Sequence, residues 1–249
     1  MKKERVEKIL DNIYFILVEP MYPGNVGSVA RAMKTMGLSH LRVVNPPDLN
    51  SDEARMMAYA SYDIIEKAEI FNDVDSAVED LNIVVATTAR LGSERGPSWE
   101  PEDLMKEIIP YAEENKIGFL FGREERGLSN AEIRRAHFIS TIPAYIQYPS
   151  LNLSQAAMIY AYEIHNAVRT PWQSPRERLA DEKTLQLLHW RVMELMKKLE
   201  FREANDSDHF SRSLRRAIGR TYWQRQDVSV FLKLVKQVEW YLENRCRKD

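Results

Sequence analysis

The sequence predicts an α/β domain built on a mostly parallel sheet, followed by a small all-helical C-terminal extension. Three observations carry this expectation. Over the first 170 residues, short apolar runs alternate with helical patterns. Beyond residue 182 only helical periodicities remain. Between the two lies TPWQSPRERLADE, residues 170–182, whose two prolines and clustered charge read as a linker. The expected boundaries are 1–170 for the α/β domain, 171–182 for the linker and 183–249 for the helical extension.

The candidate strands, in order, are Ile13–Val18, Leu41–Val44, Ile83–Thr87, Ile117–Phe121 and Phe138–Ile142. Each is short, rich in Val, Ile or Phe, and almost continuously apolar, as a strand covered on both faces must be. Between them, Val26–Met36, Asp73–Leu81 and Pro101–Asn115 read as helices. After the linker, helical patterns run over about 183–202, 208–220 and 227–244. No internal repeat and no low-complexity tract interrupts the chain.

Composition narrows the classes. With 249 residues, 44% hydrophobic and 29% charged, the chain is long enough to bury a sizeable core. Its single cysteine, Cys246, excludes a disulfide framework and points to a reducing compartment. No apolar run approaches the roughly 20 residues that span a bilayer. The N-terminal MKKERVEKIL is too charged for a signal peptide, so a cytoplasmic protein without a membrane partner is expected. The net charge of −2 is unevenly spread: residues 171–249 hold 17 Lys and Arg against 12 Asp and Glu. The extension is therefore the better candidate for contact with a polyanion.

Three loops stand out. MYPGNVGSVARAM, residues 21–33, follows the first strand. Val26, Val29, Ala30 and Met33 fall on one helical face. Asn25 stands where an N-cap is expected, and Arg31 lies six positions on, about 9 Å along a helix axis. Side chains lean toward a helix N-terminus, so Arg31 can reach back toward Asn25. A capped helix with a solvated arginine explains the same residues, and the glycine pair alone is no dinucleotide fingerprint. FLFGREERGLS, residues 119–129, places four charges between Gly122 and Gly127, directly after a strand and where α/β proteins bind ligands. Ser129 and Glu132 then fit a capping box. In the third loop, YPSLNLSQAAMIYAYEI, residues 148–164, Ser150 or Asn152 can cap a helix carrying Leu153, Ala156, Ala157 and Tyr160.

The extension adds one signal. Arg212, Arg215, Arg216 and Arg220 share a helical face with no acid between them, backed by Phe210, Leu214, Ala217 and Ile218. Such a stripe, with Tyr222, Trp223 and Arg225 alongside, suits a phosphate backbone, and a solvated helix face explains it equally. The five histidines show no ligand spacing, no C-x-x-C or G-x-S-x-G occurs, and no metal is expected.

In this order and spacing the three loops resemble the SpoU/TrmH family of RNA 2′-O-methyltransferases, within the SPOUT superfamily. The family's N-x5-R motif corresponds to Asn25 through Arg31. Its apolar-Gly-x-Glu-x-x-Gly loop corresponds to Phe121, Gly122, Glu124 and Gly127, and its S-L-N turn to Ser150, Leu151 and Asn152. The resemblance covers about residues 12–170. With the helical extension, it points to the branch that methylates the ribose of nucleotide 32 in tRNA.

The resemblance implies more than the residues show alone. Periodicity leads to an unknotted, Rossmann-like sheet, because threaded chains are nearly absent from proteins. The family instead has a deep SPOUT trefoil knot and works as a homodimer with active sites at the interface. It implies S-adenosyl-L-methionine as cofactor, held by Thr87, Thr88, Ala89, Gly122, Ile142, Pro149, Ser150 and Leu151. It assigns catalysis to Arg31, Asn25, Glu124, Ser150 and Asn152, and tRNA binding to Arg31 beside the arginine stripe. Arginine is a poor general base, so the expected part of Arg31 is to stabilise negative charge on the 2′-oxygen and grip a phosphate. Asn25 would orient Arg31 or the ribose, Glu124 an arginine or the loop. The alternatives are methylation of another tRNA or rRNA site, methylation of a base nitrogen, and a non-catalytic RNA-binding module.

Overall fold

Strand β1, Ile13–Val18, is buried at all six positions and forms the middle of the sheet. It is preceded by α1, Lys3–Leu10, and followed by α2, Pro23–Thr35, and β2, His40–Val44. Helices α3, Asp52–Ala58, and α4, Tyr62–Glu66, lead to β3, Glu69–Phe71. Then come α5, Val74–Val78, β4, Ile83–Thr87, and α6, Pro101–Ile108. The unit closes with β5, Ile117–Phe121, α7, Asn130–Ile133, β6, Phe138–Ser140, and α8, Leu153–Arg169. This computed structural model describes residues 3–89, 98–145, 151–170, 178–201, 207–219 and 221–244.

The six strands are all parallel and lie in the order β3-β2-β1-β5-β4-β6. The register Phe15 to Phe119 and Leu17 to Phe121 brings the Phe15 ring into tilted contact with Phe119 and Phe121, and Tyr160 of α8 lies tilted against Phe119 and edge-on to Phe121. On the other face, Tyr14, Ile16 and Val18 join Val78, Leu81, Val84, Leu120, Leu128 and Ile133 in one core. Alternate residues of β1 thus serve two cores, which explains its unbroken apolarity. At the β1/β5 boundary the strand order departs from the chain order, and in open α/β sheets ligands bind at the carboxyl ends beside such a point.

The expected parallel sheet is the observed one, with local differences. Strand β6 ends at Ser140, two residues short of the expectation. The helix expected over 101–115 stops at Ile108 and continues as a 3-10 turn, Ile109–Glu113, because Pro110 has no N–H for the α ladder. Strand β3 lacks a sequence signal: it is three residues long, and both Glu69 and Ile70 are exposed at the sheet edge. The threading that the resemblance implies involves the second and third motif loops, and residues 148–150 of the third lie outside the described residues, as do Arg220 and Cys246.

The chain divides into two compact units, 1–176 and 177–249. The second consists of α9, Glu182–Lys198, α10, Ser207–Gly219, and α11, Arg225–Asn244. Ala180, Leu185, Leu188, Ile218 and Val228 make its core. Residues 178–182, read from the sequence as linker, belong to this unit. Leu179 and Ala180 are buried in it, and the Ala180 N–H donates to the Trp223 carbonyl at 2.7 Å. Among the described residues no helix is long and apolar enough to cross a membrane.

Candidate active site

The first loop differs from its expectation in one consequential way. Helix α2 begins at Pro23, with Tyr22 as an extended N-cap that makes no side-chain capping bond. A proline at the first helical position has its φ preset and loses no hydrogen bond, so it wins the start. Asn25 therefore stands inside the first turn, and its amide is free to leave the helix. Its Nδ2 donates to Glu124 Oε1 at 2.9 Å, and its Oδ1 accepts from Asn152 Nδ2 at 3.0 Å. Val26, Val29, Ala30 and Met33 are fully buried, as the spacing predicts.

Glu124, expected to hold an arginine or the loop, bonds here to the loop before and within the start of α2. Besides Asn25 it accepts the Met21 N–H at 3.0 Å, so one carboxylate fixes the chain on both sides of Pro23. It also places negative charge at the start of α2, where the helix dipole favours it. Glu124 is presented by a turn closed by the Gly127 N–H donating to the Arg123 carbonyl at 2.8 Å. Only glycine fits at 122: a Cβ there would lie 2.3 Å from Gly127 C and Leu128 N.

The arginine gripped in this loop is Arg123. Its Nε donates to Glu19 at 2.7 Å, and its two terminal nitrogens meet Glu132 at 3.0 and 3.1 Å. The bonds from Glu19 and Glu132 raise the Arg123 guanidinium above its ordinary value. Burial pushes Glu132 up, but Arg123 and the Ser129 amide outweigh it and hold the carboxyl below the usual range. Glu132 is also the third residue of the Ser129 capping box that the sequence predicts. Sequence reasoning missed the bridge because Glu19 and Arg123 meet only through the pairing of β1 with β5.

Asn152 is the N-cap of α8. Its Oδ1 accepts from the Ser154 N–H at 2.8 Å and from Ser154 Oγ at 2.7 Å. Gln155 returns a bond to the Asn152 N–H at 3.2 Å. The amide is thus divided, with its oxygen on the helix and its nitrogen on Asn25. Ser150, the other capping candidate, lies outside the described residues, as does Pro149.

These loops enclose a cleft of 470 Å³ lined by Tyr22, Gly24, Asn25, Glu53, Met56, Met57, Glu124, Leu151 and Asn152. Arg31 is exposed, and its Cζ lies 5.8 Å from the Tyr59 ring centroid. It makes no hydrogen bond to Asn25, whose donor and acceptor are taken by Glu124 and Asn152.

The expected cofactor residues gather at the carboxyl ends of adjacent strands: Thr87 closes β4 and Thr88 and Ala89 follow it, Gly122 follows β5, and Ile142 lies beyond β6. The Thr87 hydroxyl is used within the sheet, donating to the Leu120 carbonyl at 2.8 Å, while the Thr88 N–H donates to Ser140 at 2.9 Å. One group there was not foreseen. Thr141 Oγ1, between Ser140 and Ile142, is buried and has no hydrogen-bond partner among the described residues.

The arginine stripe is divided. Arg212 and Arg216 are exposed, but Arg215 is folded inward and pairs with the fully buried Glu182. An unpaired buried carboxylate is costly, so Glu182 claims its nearest cation. Among the described residues no cluster of three metal-ligating side chains occurs.

Fold and site together define an α/β protein of parallel-sheet class, whose ligand loops at the strand ends are tied by an Asn–Asn–Glu hydrogen-bonded line beside an arginine. A family model described as the SpoU rRNA Methylase family matches residues 12–162, and the chain belongs to that family. It is 43% identical over 159 residues to the tRNA (cytidine/uridine-2′-O-)-methyltransferase TrmJ of Pectobacterium atrosepticum. That match covers 64% of this chain and 66% of the relative. The protein of the same name from Sodalis glossinidius is 42% identical over 159 residues, covering 64% of this chain and 62% of its own. The chain thus spans slightly less than two thirds of these relatives' length. Among solved structures, TrmJ from Z. mobilis ZM4 superposes with a TM-score of 0.78 at 28% identity, over 91% of this chain and 98% of that one.

Proposed function

We propose that the chain methylates a ribose 2′-hydroxyl of tRNA, at cytidine or uridine 32 of the anticodon loop, using S-adenosyl-L-methionine. The line Glu124–Asn25–Asn152 carries this reading, because it joins three distant loops beside the one exposed cation of the first motif. The names of the two relatives supply the substrate class, a pyrimidine nucleotide of tRNA.

Thr87, Thr88, Ala89, Gly122, Ile142 and Leu151 would hold the cofactor, together with Pro149 and Ser150. One residue there suits such a group: Thr141 offers a buried hydroxyl that has no hydrogen-bond partner among the described residues. S-adenosyl-L-methionine supplies a methyl group activated on a sulfonium. Arg31 directs its fork of N–H donors at the negative charge that grows on the 2′-oxygen and at the neighbouring phosphate. Asn25, Glu124 and Asn152 act as positioning residues, fixing the start of α2 and hence Arg31 relative to the other two loops. In this reading the chain is threaded as a trefoil, pairs as a homodimer and works in the cytoplasm, and the exposed arginines of α10 meet the tRNA backbone.

The test is incubation with tritiated S-adenosyl-L-methionine and unmodified tRNA, followed by alkaline hydrolysis. Label retained beside an uncleaved phosphodiester is the expected result, since a 2′-O-methyl removes the attacking hydroxyl. Label beside a cleaved bond would assign a base methyltransferase, and no label a non-catalytic RNA-binding module.

A further inference from the structure

We propose that Tyr59 is the platform on which the base of the target nucleotide stacks, holding that nucleotide's ribose beside Arg31. This rests on the reading of the chain as an RNA ribose methyltransferase.

Tyr59 directly follows α3 with φ 50° and ψ −123°. That conformation suits glycine and strains a residue with a bulky side chain. Burial does not compensate, because Tyr59 is 77% exposed. A glycine would make the same turn without strain, so the ring has a use that the turn does not explain.

The strained backbone is clamped from α2. Gly27, Arg31 and Lys34 occupy one face of that helix, at i, i+4 and i+7. A Cβ at Gly27 would lie 2.4 Å from the Ala54 carbonyl oxygen and 2.8 Å from the Ala58 nitrogen, so α3 rests directly on the α2 backbone. Lys34 Nζ donates to the Ala60 carbonyl at 2.8 Å and to Asp63 at 2.6 Å. The Tyr59 N–H itself donates to the Arg55 carbonyl. The chain is thus held on both sides of Tyr59, and Arg31 lies midway between the clamps with its guanidinium 5.8 Å from the ring centroid.

The surroundings match a nucleobase. Met56 and Met57, the two residues before Ala58, are exposed and line the cleft with Asn25 and Tyr22. An exposed aromatic face on a clamped backbone, with a guanidinium 5.8 Å from its centroid and exposed Met56 and Met57 shortly before it in the chain, offers stacking to an unpaired base of either pyrimidine, without reading its edge.

Three proteins and two readouts test this: wild type, Tyr59→Gly and Tyr59→Phe. Relieving the strain in Tyr59→Gly raises the melting temperature, while KM for tRNA rises about tenfold and kcat changes less. Tyr59→Phe keeps the ring and stays within about twofold of wild type. The second readout needs no turnover: an anticodon stem-loop carrying fluorescent pyrrolocytidine at nucleotide 32. Its emission is quenched on binding wild type and Tyr59→Phe but not Tyr59→Gly. Unchanged KM and quenching in Tyr59→Gly, or a lowered melting temperature, overturns the platform. A wild type that quenches pyrrolocytidine through Tyr59 but transfers no methyl overturns the enzymatic reading instead.

Discussion

Asn25 and Asn152 stand 127 positions apart and share one hydrogen bond of 3.0 Å, while the other end of the Asn25 amide reaches Glu124 at 2.9 Å. Each amide is oriented by the one beside it, so the line has a direction: Asn152 donates to Asn25, and Asn25 donates to the carboxylate. Asn25→Asp removes the donor and sets two carboxylates against each other. It should lower the melting temperature by about 3 °C, equivalent to roughly 1 kcal/mol in a chain of this size, and reduce methyl transfer. Glu124→Gln in the same chain restores a donor–acceptor pair and should recover most of the lost stability. Thermal melts of the single and double variants check both statements.

Arg31→Lys keeps the charge and loses the fork. A fall in kcat of about a hundredfold, with little change in RNA binding, is expected if the guanidinium bridges the 2′-oxygen and a phosphate. Single-turnover methylation alongside filter binding separates the two effects, and near-full activity in the lysine variant would show the fork to be unnecessary.

Gly122→Ala inserts a methyl 2.3 Å from two backbone atoms of the same loop. The loop must open, with a stability loss of roughly 1–3 kcal/mol. Calorimetric titration with S-adenosylhomocysteine should show binding in wild type and none in the variant.

The two arginines Arg215 and Arg216, adjacent in sequence, should behave oppositely. Arg215→Ala removes the arginine paired with the buried Glu182, leaving Gln186 still donating to that carboxylate, and should destabilise the helical unit by roughly 1–3 kcal/mol, seen as early proteolysis of residues 177–249. Arg216→Ala should leave folding intact, weaken tRNA binding and lower the slope of log affinity against log salt by about 1.

Asp80 gives the α/β unit an acid limit. Burial pushes its carboxyl up, but bonds from Arg42 and Lys116 outweigh this and lower it from 3.8 to about 2. Because the folded value is the lower one, the stabilisation is present above pH 4 and is lost as pH falls toward 2. Asp80 is 40% exposed, so water holds this pH-linked part to roughly 1 kcal/mol. Urea melts of wild type and Asp80→Asn should differ at pH 7 and converge as the solution is acidified.

The sheet was legible because β1, β4 and β5 are buried on both faces and carry unbroken apolar runs. The Ser129 cap was legible because capping is local chemistry, and the same chemistry narrowed the cap of α8 to Ser150 or Asn152, of which the structure has Asn152. Asn25 misled for the same reason: it looks like a cap, and only the contest with Pro23 for the helix start releases it to Glu124. The Glu19–Arg123–Glu132 bridge was not legible, since nothing local marks which arginine of GREER meets which acid. Tyr59 gave no signal because its strain lies in a backbone angle set by packing against α2.

The insertion of β5 between β1 and β4 also bears on how the protein is made. Strand β1, IYFILV, is followed within about thirty residues by its partner β2, but its other edge waits for Ile117–Phe121. At elongation rates of about 5–20 residues per second, that wait lasts roughly 5–20 s. For this interval the nascent chain carries an unpaired edge whose side chains are wholly apolar, the kind of segment that seeds aggregation. Holdase occupancy on stalled chains should therefore peak before residue 117 has emerged and fall once Phe121 is clear of the exit tunnel.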